Sequence, residues 1–167
     1  MKMLRPVLFA LCVAGVVPGC SATVERPSDE TVSTVSTRNL YPNETPELRE
    51  MIVAAARENE VPVSLVQRVV IRESTHRPEA RNGPYYGLMQ ILPATARSMG
   101  FRGEPLDLLD AETNLRYAVR YLRGAWLVSD GDEEEAVMWY ARGYYYEAKR
   151  QGLLDETGAH GRKDWSD

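Results

Sequence analysis

Between residues 45 and 154 the apolar residues return every three to four positions, and no alternating segment is long enough to predict a strand. That period permits amphipathic helices packed around a shared core and little else. The punctuation agrees with it. Thr45-Pro46 supplies an N-cap with proline at the first helical position, Leu48, Met51, Ile52 and Ala55 form a stripe, and Asn59 is the stop. A second helix begins near Val61-Pro62, with Leu65, Val66, Val69 and Val70 on one face. Pro93 opens a third helix that Gly100 ends. Asp110 caps a longer helix carrying Leu115, Ala118, Val119, Leu122 and Trp126. Asp132 caps another, whose first turn of Glu133, Glu134 and Glu135 suits the positive end of a helix dipole. A chain of 167 residues builds one such core, not two. The expectation is a small all-α domain over residues 45–154.

The segments around that domain read differently. Residues 1–19 have a short basic start, an apolar run from Val7 to Val17, and then small residues. The run is too short to span a bilayer comfortably and suits an export signal. Val17-Pro18-Gly19-Cys20 resembles a bacterial lipoprotein box, although Pro18 is an unusual residue at its position. The resemblance implies lipidation of Cys20 and a membrane anchor at the mature N-terminus. Ser21 after the cysteine goes with delivery to the outer membrane of a Gram-negative bacterium, which makes the expected location periplasmic. Residues 20–44 are rich in Ser, Thr and charge and carry no apolar stripe, so they read as a flexible tether. Residues 155–167 read as a polar tail.

Charge and cysteine usage narrow the function. Basic residues number 20 against 24 acidic, a net charge of −4, which argues against nucleic-acid binding. Cys12 and Cys20 both lie in the leader region, and His76 and His160 are the two histidines. No disulfide, no metal site and no cofactor is expected.

Glu73 is the most informative residue. It lies three, four and seven positions after Val70, Val69 and Val66, on the apolar face of the second helix. A carboxyl there loses solvation and sits near the unfavourable end of the helix dipole, and both effects raise its pKa. That is what a general acid at neutral pH requires. The residue pattern alone leaves a second reading open, a terminal glutamate pairing with Arg72 or Arg77 at the surface.

Fourteen residues after Glu73, which Ser74 follows, the chain reads Gly87-Leu88-Met89-Gln90, leading into Pro93-Ala94-Thr95-Ala96. This order resembles the soluble, Slt-type lytic transglycosylases, whose catalytic domain is similar to goose-type lysozyme. The resemblance covers roughly residues 46–150, and Asn114-Leu115 and Tyr121-Leu122 fall where the family has an Asn-Ile and a Tyr-Leu pair. It implies that Glu73 is the single catalytic acid and base and that peptidoglycan glycan strands are the substrate. It places Ser74 after the catalytic acid, where it helps to fix the helix end, and Gln90 and Met89 along the saccharide groove. Gly87 would let backbone approach the sugar. Tyr140 matches a tyrosine near the catalytic carboxyl, although it equally fits the helix stripe with Ala136 and Val137. Core packing is the other reading of Met89 and Leu88. Tyr85, Tyr86 and Tyr144–Tyr146 read either as sugar-stacking surface or as packing.

The chain also departs from the family. Where the family commonly has Ala-Tyr-Asn-Ala-Gly, this chain has Trp139-Tyr140-Ala141-Arg142-Gly143. Asn82 stands where the family places a serine beneath the N-acetyl group; it can bond an acetamido group, and Asn82-Gly83-Pro84 also reads as a turn. Ordinary glycosidases need two carboxylates, whereas the family's mechanism uses one, with the C6 hydroxyl of the muramyl residue attacking C1 to give a 1,6-anhydro product. Two other readings stay open: a hydrolytic muramidase of the same fold, and a wall-binding lipoprotein without catalysis.

Overall fold

The computed structural model describes residues 39–158. The leader, Cys20, the tether up to residue 38 and the tail from 159 lie outside the described residues. The described chain runs α1 (Pro46–Glu58), α2 (Val63–Glu73), a hairpin of β1 (Arg81–Asn82) and β2 (Tyr85–Tyr86), α3 (Pro93–Ser98), a 3₁₀ turn (Pro105–Leu109), α4 (Ala111–Val128), α5 (Glu133–Arg142), α6 (Tyr145–Gln151) and α7 (Leu154–Thr157). The all-α expectation holds, with the two-residue strands as its one exception.

The expected caps form. Thr45 Oγ1 accepts from the Leu48 N–H at 3.2 Å, Asp110 from Thr113 at 2.8 Å and Asp132 from Glu135 at 2.7 Å. Each satisfies a donor that a helix start leaves without an intrahelical partner. α4 lies at the centre and packs against α1, α3, α5, α6 and α7, while α2 packs against α1 and α5. Ile52, Leu65, Val66, Val69, Val70, Leu115 and Leu122 are buried where these helices meet. Each such side chain contributes about 2 kcal/mol through loss of apolar surface from water. Met51, expected in the α1 stripe, is 39% exposed, because it lies on the rim of the α1–α4 contact.

Two boundaries differ from the sequence expectation. Glu44, read as the end of the tether, is buried, and its carboxylate takes Arg49 Nε and Nη2, each at 2.5 Å, the Tyr41 N–H at 2.9 Å and Gln67 Nε2 at 2.7 Å. The Gln67 carbonyl oxygen in turn accepts from His76 Nε2 at 2.7 Å, with His76 fully buried. Tyr41 stacks on the His76 ring at 5.4 Å, and Asn43 donates to the Thr75 carbonyl at 2.9 Å. Residues 41–44 therefore pack on the end of α2, because a polar cluster supplies contacts that composition does not reveal. At the other end, residues 155–157, expected in the polar tail, complete α7, and Thr157 is buried. Among the described residues no helix is long and apolar enough to cross a membrane.

Candidate active site

The site is assembled from the end of α2, the hairpin and the loop behind it, and α5. α2 stops at Glu73 because Ser74 leaves helical geometry and Thr75 and His76 follow with positive φ, 52° and 58°. Ser74, read from sequence as a residue of the helix end, stands there. Its hydroxyl is buried, donates to the Val70 carbonyl at 3.3 Å and accepts from the Arg77 N–H at 3.3 Å, so it serves the helix end.

Glu73 itself is 23% exposed at its side chain and lies 3.4 Å from Arg72 Nε. Desolvation holds its carboxyl above the ordinary value near 4.5, and the Arg72 charge opposes that shift. Both readings of the residue are thus present in part, and burial outweighs the exposed arginine.

The loop from Gly87 to Gln90 is held by backbone and by two side chains from distant helices. Gly87 N–H donates to the Ala80 carbonyl at 2.8 Å, and Gln90 N–H to the Gly87 carbonyl at 3.1 Å. Asn114 of α4, fully buried, accepts from the Met89 N–H at 3.0 Å and donates to the carbonyls of Tyr86 at 2.9 Å and Leu108 at 2.8 Å. Gly87 takes a left-handed backbone. Its φ is +73°, and a Cβ would meet Asn114 Nδ2 and the Leu108 carbonyl, both at 2.3 Å, so packing against α4 and the 3₁₀ turn already requires glycine. Met89, expected on the groove, is fully buried, and what it offers the site is a carbonyl that accepts the Tyr140 hydroxyl at 2.9 Å.

Gln90 and Tyr140 do meet at a cleft. With Tyr85, Thr95, Tyr121 and Arg142 they line a space of about 340 Å³. Gln90, at φ +47°, gives both amide hydrogens to backbone, the Ala80 carbonyl at 3.0 Å and the Gly87 carbonyl at 2.9 Å. Its Oε1 has no protein partner among the described residues and remains an acceptor. The Tyr140 ring is buried, edge-on to Tyr121 at 5.4 Å. Desolvation, then the Glu73 charge, raise the Tyr140 phenol well above its ordinary value, which ties this ring electrostatically to the catalytic candidate. Burial likewise lifts the Tyr121 phenol to about 12. Glu73 does not itself line this cleft; α2 and α5 pack side by side and Tyr140 is its link. A larger hollow of about 610 Å³ around Phe101, Arg102 and Tyr117 contains none of the motif residues.

Asn82 lies exposed on the hairpin, where Asn82 pairs with Tyr85 and Gly83 takes a φ of +57°. The turn reading therefore describes its backbone. The tyrosines divide: Tyr86 and Tyr144 are buried, whereas Tyr85 and Tyr146 are 42% and 83% exposed. Among the described residues no group of three His, Cys, Asp or Glu side chains is placed to hold a metal ion. Asn114 had a signal in sequence, a polar residue at the apolar register of α4 beside Leu115 and Ala118. Two of its three partners, however, the Met89 N–H and the Tyr86 carbonyl, are backbone atoms 25 and 28 residues away.

A small helical body with one desolvated glutamic acid at a helix end, next to a tyrosine- and amide-lined cleft, is a lysozyme-like domain. The profile of the transglycosylase SLT domain matches residues 50–157, and the chain belongs to that family. No curated protein and no solved structure matches the chain. Membership in the family implies cleavage of peptidoglycan glycan strands.

Proposed function

We propose that the protein is a lytic transglycosylase that breaks the β-1,4 bond between N-acetylmuramic acid and N-acetylglucosamine, with Glu73 as its only acid and base. The observation that carries this reading is the desolvated carboxyl of Glu73, held above its ordinary pKa at the end of α2 beside Tyr140 in an SLT domain. A carboxyl in that state donates its proton to the glycosidic oxygen as the bond breaks. The muramyl N-acetyl oxygen stabilises the anomeric centre. Glu73, now a carboxylate, takes the proton of the C6 hydroxyl, whose oxygen closes onto C1. The proton returns to Glu73, no water is consumed, and the product ends in 1,6-anhydromuramic acid. Arg72, exposed and 3.4 Å away, is placed to stabilise the transient carboxylate.

Digestion of purified sacculi followed by mass spectrometry tests this directly. Anhydromuramyl ends are expected from the wild type and none from Glu73→Gln, with circular dichroism unchanged. Products heavier by one water would replace the reading with a hydrolase. Cleavage by Glu73→Gln at near wild-type rate would remove Glu73 from the chemistry.

The second part of the proposal is a lipid anchor on Cys20 that holds the domain to the outer membrane within reach of the wall. The Val17-Pro18-Gly19-Cys20-Ser21 sequence supports it. Cys20→Ala should lose metabolic labelling by palmitate and move the protein into the soluble periplasmic fraction; labelling that persists would refute the anchor.

A further inference from the structure

Arg142 is exposed at the end of α5 and, like Arg81 over the Tyr86 ring, is a ring-stacked arginine without an ion pair among the described residues; its place in the cleft is what distinguishes it. Arg49, Arg68, Arg72, Arg116, Arg123 and Arg150 each lie within ion-pair distance of an acid. Arg142 has no carboxylate within 4.0 Å among the described residues. Its guanidinium lies over the Trp139 ring, 4.9 Å from the centroid. As the last residue of α5 it also faces the negative end of that helix dipole. Stacking and dipole together hold the cation without occupying its N–H donors.

Its location gives those donors a use. Arg142 lines the Gln90–Tyr140 cleft and also an adjoining space of about 270 Å³ bounded by Tyr144–Tyr146; the two share Thr95, Tyr121, Arg142 and Gly143. Arg142 and Tyr140 leave α5 in different directions, yet both line the same cleft, so a group bound to Arg142 there shares the space that the Tyr140 ring walls. A planar guanidinium with free donors matches a carboxylate in a two-pronged geometry. The accompanying lining, tyrosines and an amide acceptor, suits the uncharged remainder of a saccharide.

We infer that Arg142 is a specificity residue that binds a carboxylate carried by the glycan strand, and so separates murein from uncharged N-acetylglucosamine polymers. The inference rests on the glycan-cleaving reading above and adds to it the charge of the substrate. Two sources supply a carboxylate: the lactyl group of a strand stripped of its peptides, and the acidic residues of an intact stem peptide.

The test measures binding by calorimetry, with every protein carrying Glu73→Gln so that strands survive. Three ligands are compared: soluble strands with stem peptides, strands stripped by an amidase, and chitohexaose, which has no carboxylate. The readout is the ratio of affinity for each murein strand to affinity for chitohexaose. Arg142→Gln should lower that ratio by about 10-fold or more, the loss typical of a charge-assisted hydrogen-bond pair, and Arg142→Lys should recover part of it. A fall on stripped strands alone assigns the lactyl carboxylate, and a fall on peptide-bearing strands alone assigns the stem peptide; either supports the inference. An unchanged ratio on both strands overturns it. Failure of the functional reading is recorded separately, in the products that the enzyme with Glu73 intact releases from sacculi.

Discussion

Glu44→Gln tests whether the segment before α1 is part of the folded domain. The substitution keeps the shape of the side chain and imitates the protonated acid. Burial alone would raise the Glu44 carboxyl, but hydrogen bonds from Arg49, the Tyr41 backbone and Gln67, with the Arg49 charge, reverse this and hold it at about 2, against an ordinary 4.5. At about 1.4 kcal/mol per tenfold change in acidity, that depression corresponds to ~3 kcal/mol favouring the folded state at neutral pH. The figure sits at the low end of the ~3–5 kcal/mol expected when one partner of a buried ion pair is removed, as fits an Arg49 side chain that is 19% exposed. For a domain of this size it lowers the melting temperature by about 10 °C.

The pH dependence follows from the direction of the shift. A depressed carboxyl stabilises fully above 4.5, and the contribution disappears as pH falls through the folded value near 2. Urea unfolding of wild type and Glu44→Gln at pH 7, 5, 4, 3 and 2 should therefore give curves that are far apart at neutral pH and converge in acid. His76, whose pKa burial lowers, also costs stability in acid, but to first order it does so in both proteins and drops out of the difference. A gap under ~1 kcal/mol at pH 7, or one that persists at pH 2, would show that the ion pair does not hold this segment.

Other tests bear on the site. The raised carboxyl of Glu73 implies that turnover falls as pH rises through its folded pKa, because the proton donor is lost; a rate that climbs through that range would argue against Glu73 as the acid. The same shift means that folding opposes ionisation of Glu73, so Glu73→Gln should melt above wild type at pH 7, and the gain should vanish as pH drops below 4.5. Gly87→Ala should cost at least ~2 kcal/mol in chemical denaturation, since its Cβ overlaps Asn114 and the Leu108 carbonyl in a left-handed backbone. Asn114→Ala leaves the buried Met89 N–H and the Leu108 carbonyl without their partner and takes one of two donors from the Tyr86 carbonyl, a loss of about 3 kcal/mol by the same assay, with cleavage reduced further by the loosened Gln90 loop.

Much of the scaffold was legible from residues alone, because its signals are local. A cap, a proline at a helix start and a recurring apolar position act within one or two turns, so Thr45, Pro93, Asp110 and Asp132 mark where their helices begin. The stripe of α2 put Glu73 in register with its apolar face but left open a surface pairing with Arg72, and the structure shows partial burial together with that pairing. Tertiary structure alone decided the rest. It set Gly87 against Asn114, buried Met89 with its carbonyl on the Tyr140 hydroxyl, brought Tyr140 to Glu73 through the contact of α2 with α5, and drew Glu44 out of the linker into a buried pair. These outcomes depend on polar partners far apart in sequence, Asn114 with Met89 and Glu44 with Gln67 and His76. Such hydrogen bonds gain their strength from burial, and burial exists only once the helices have packed.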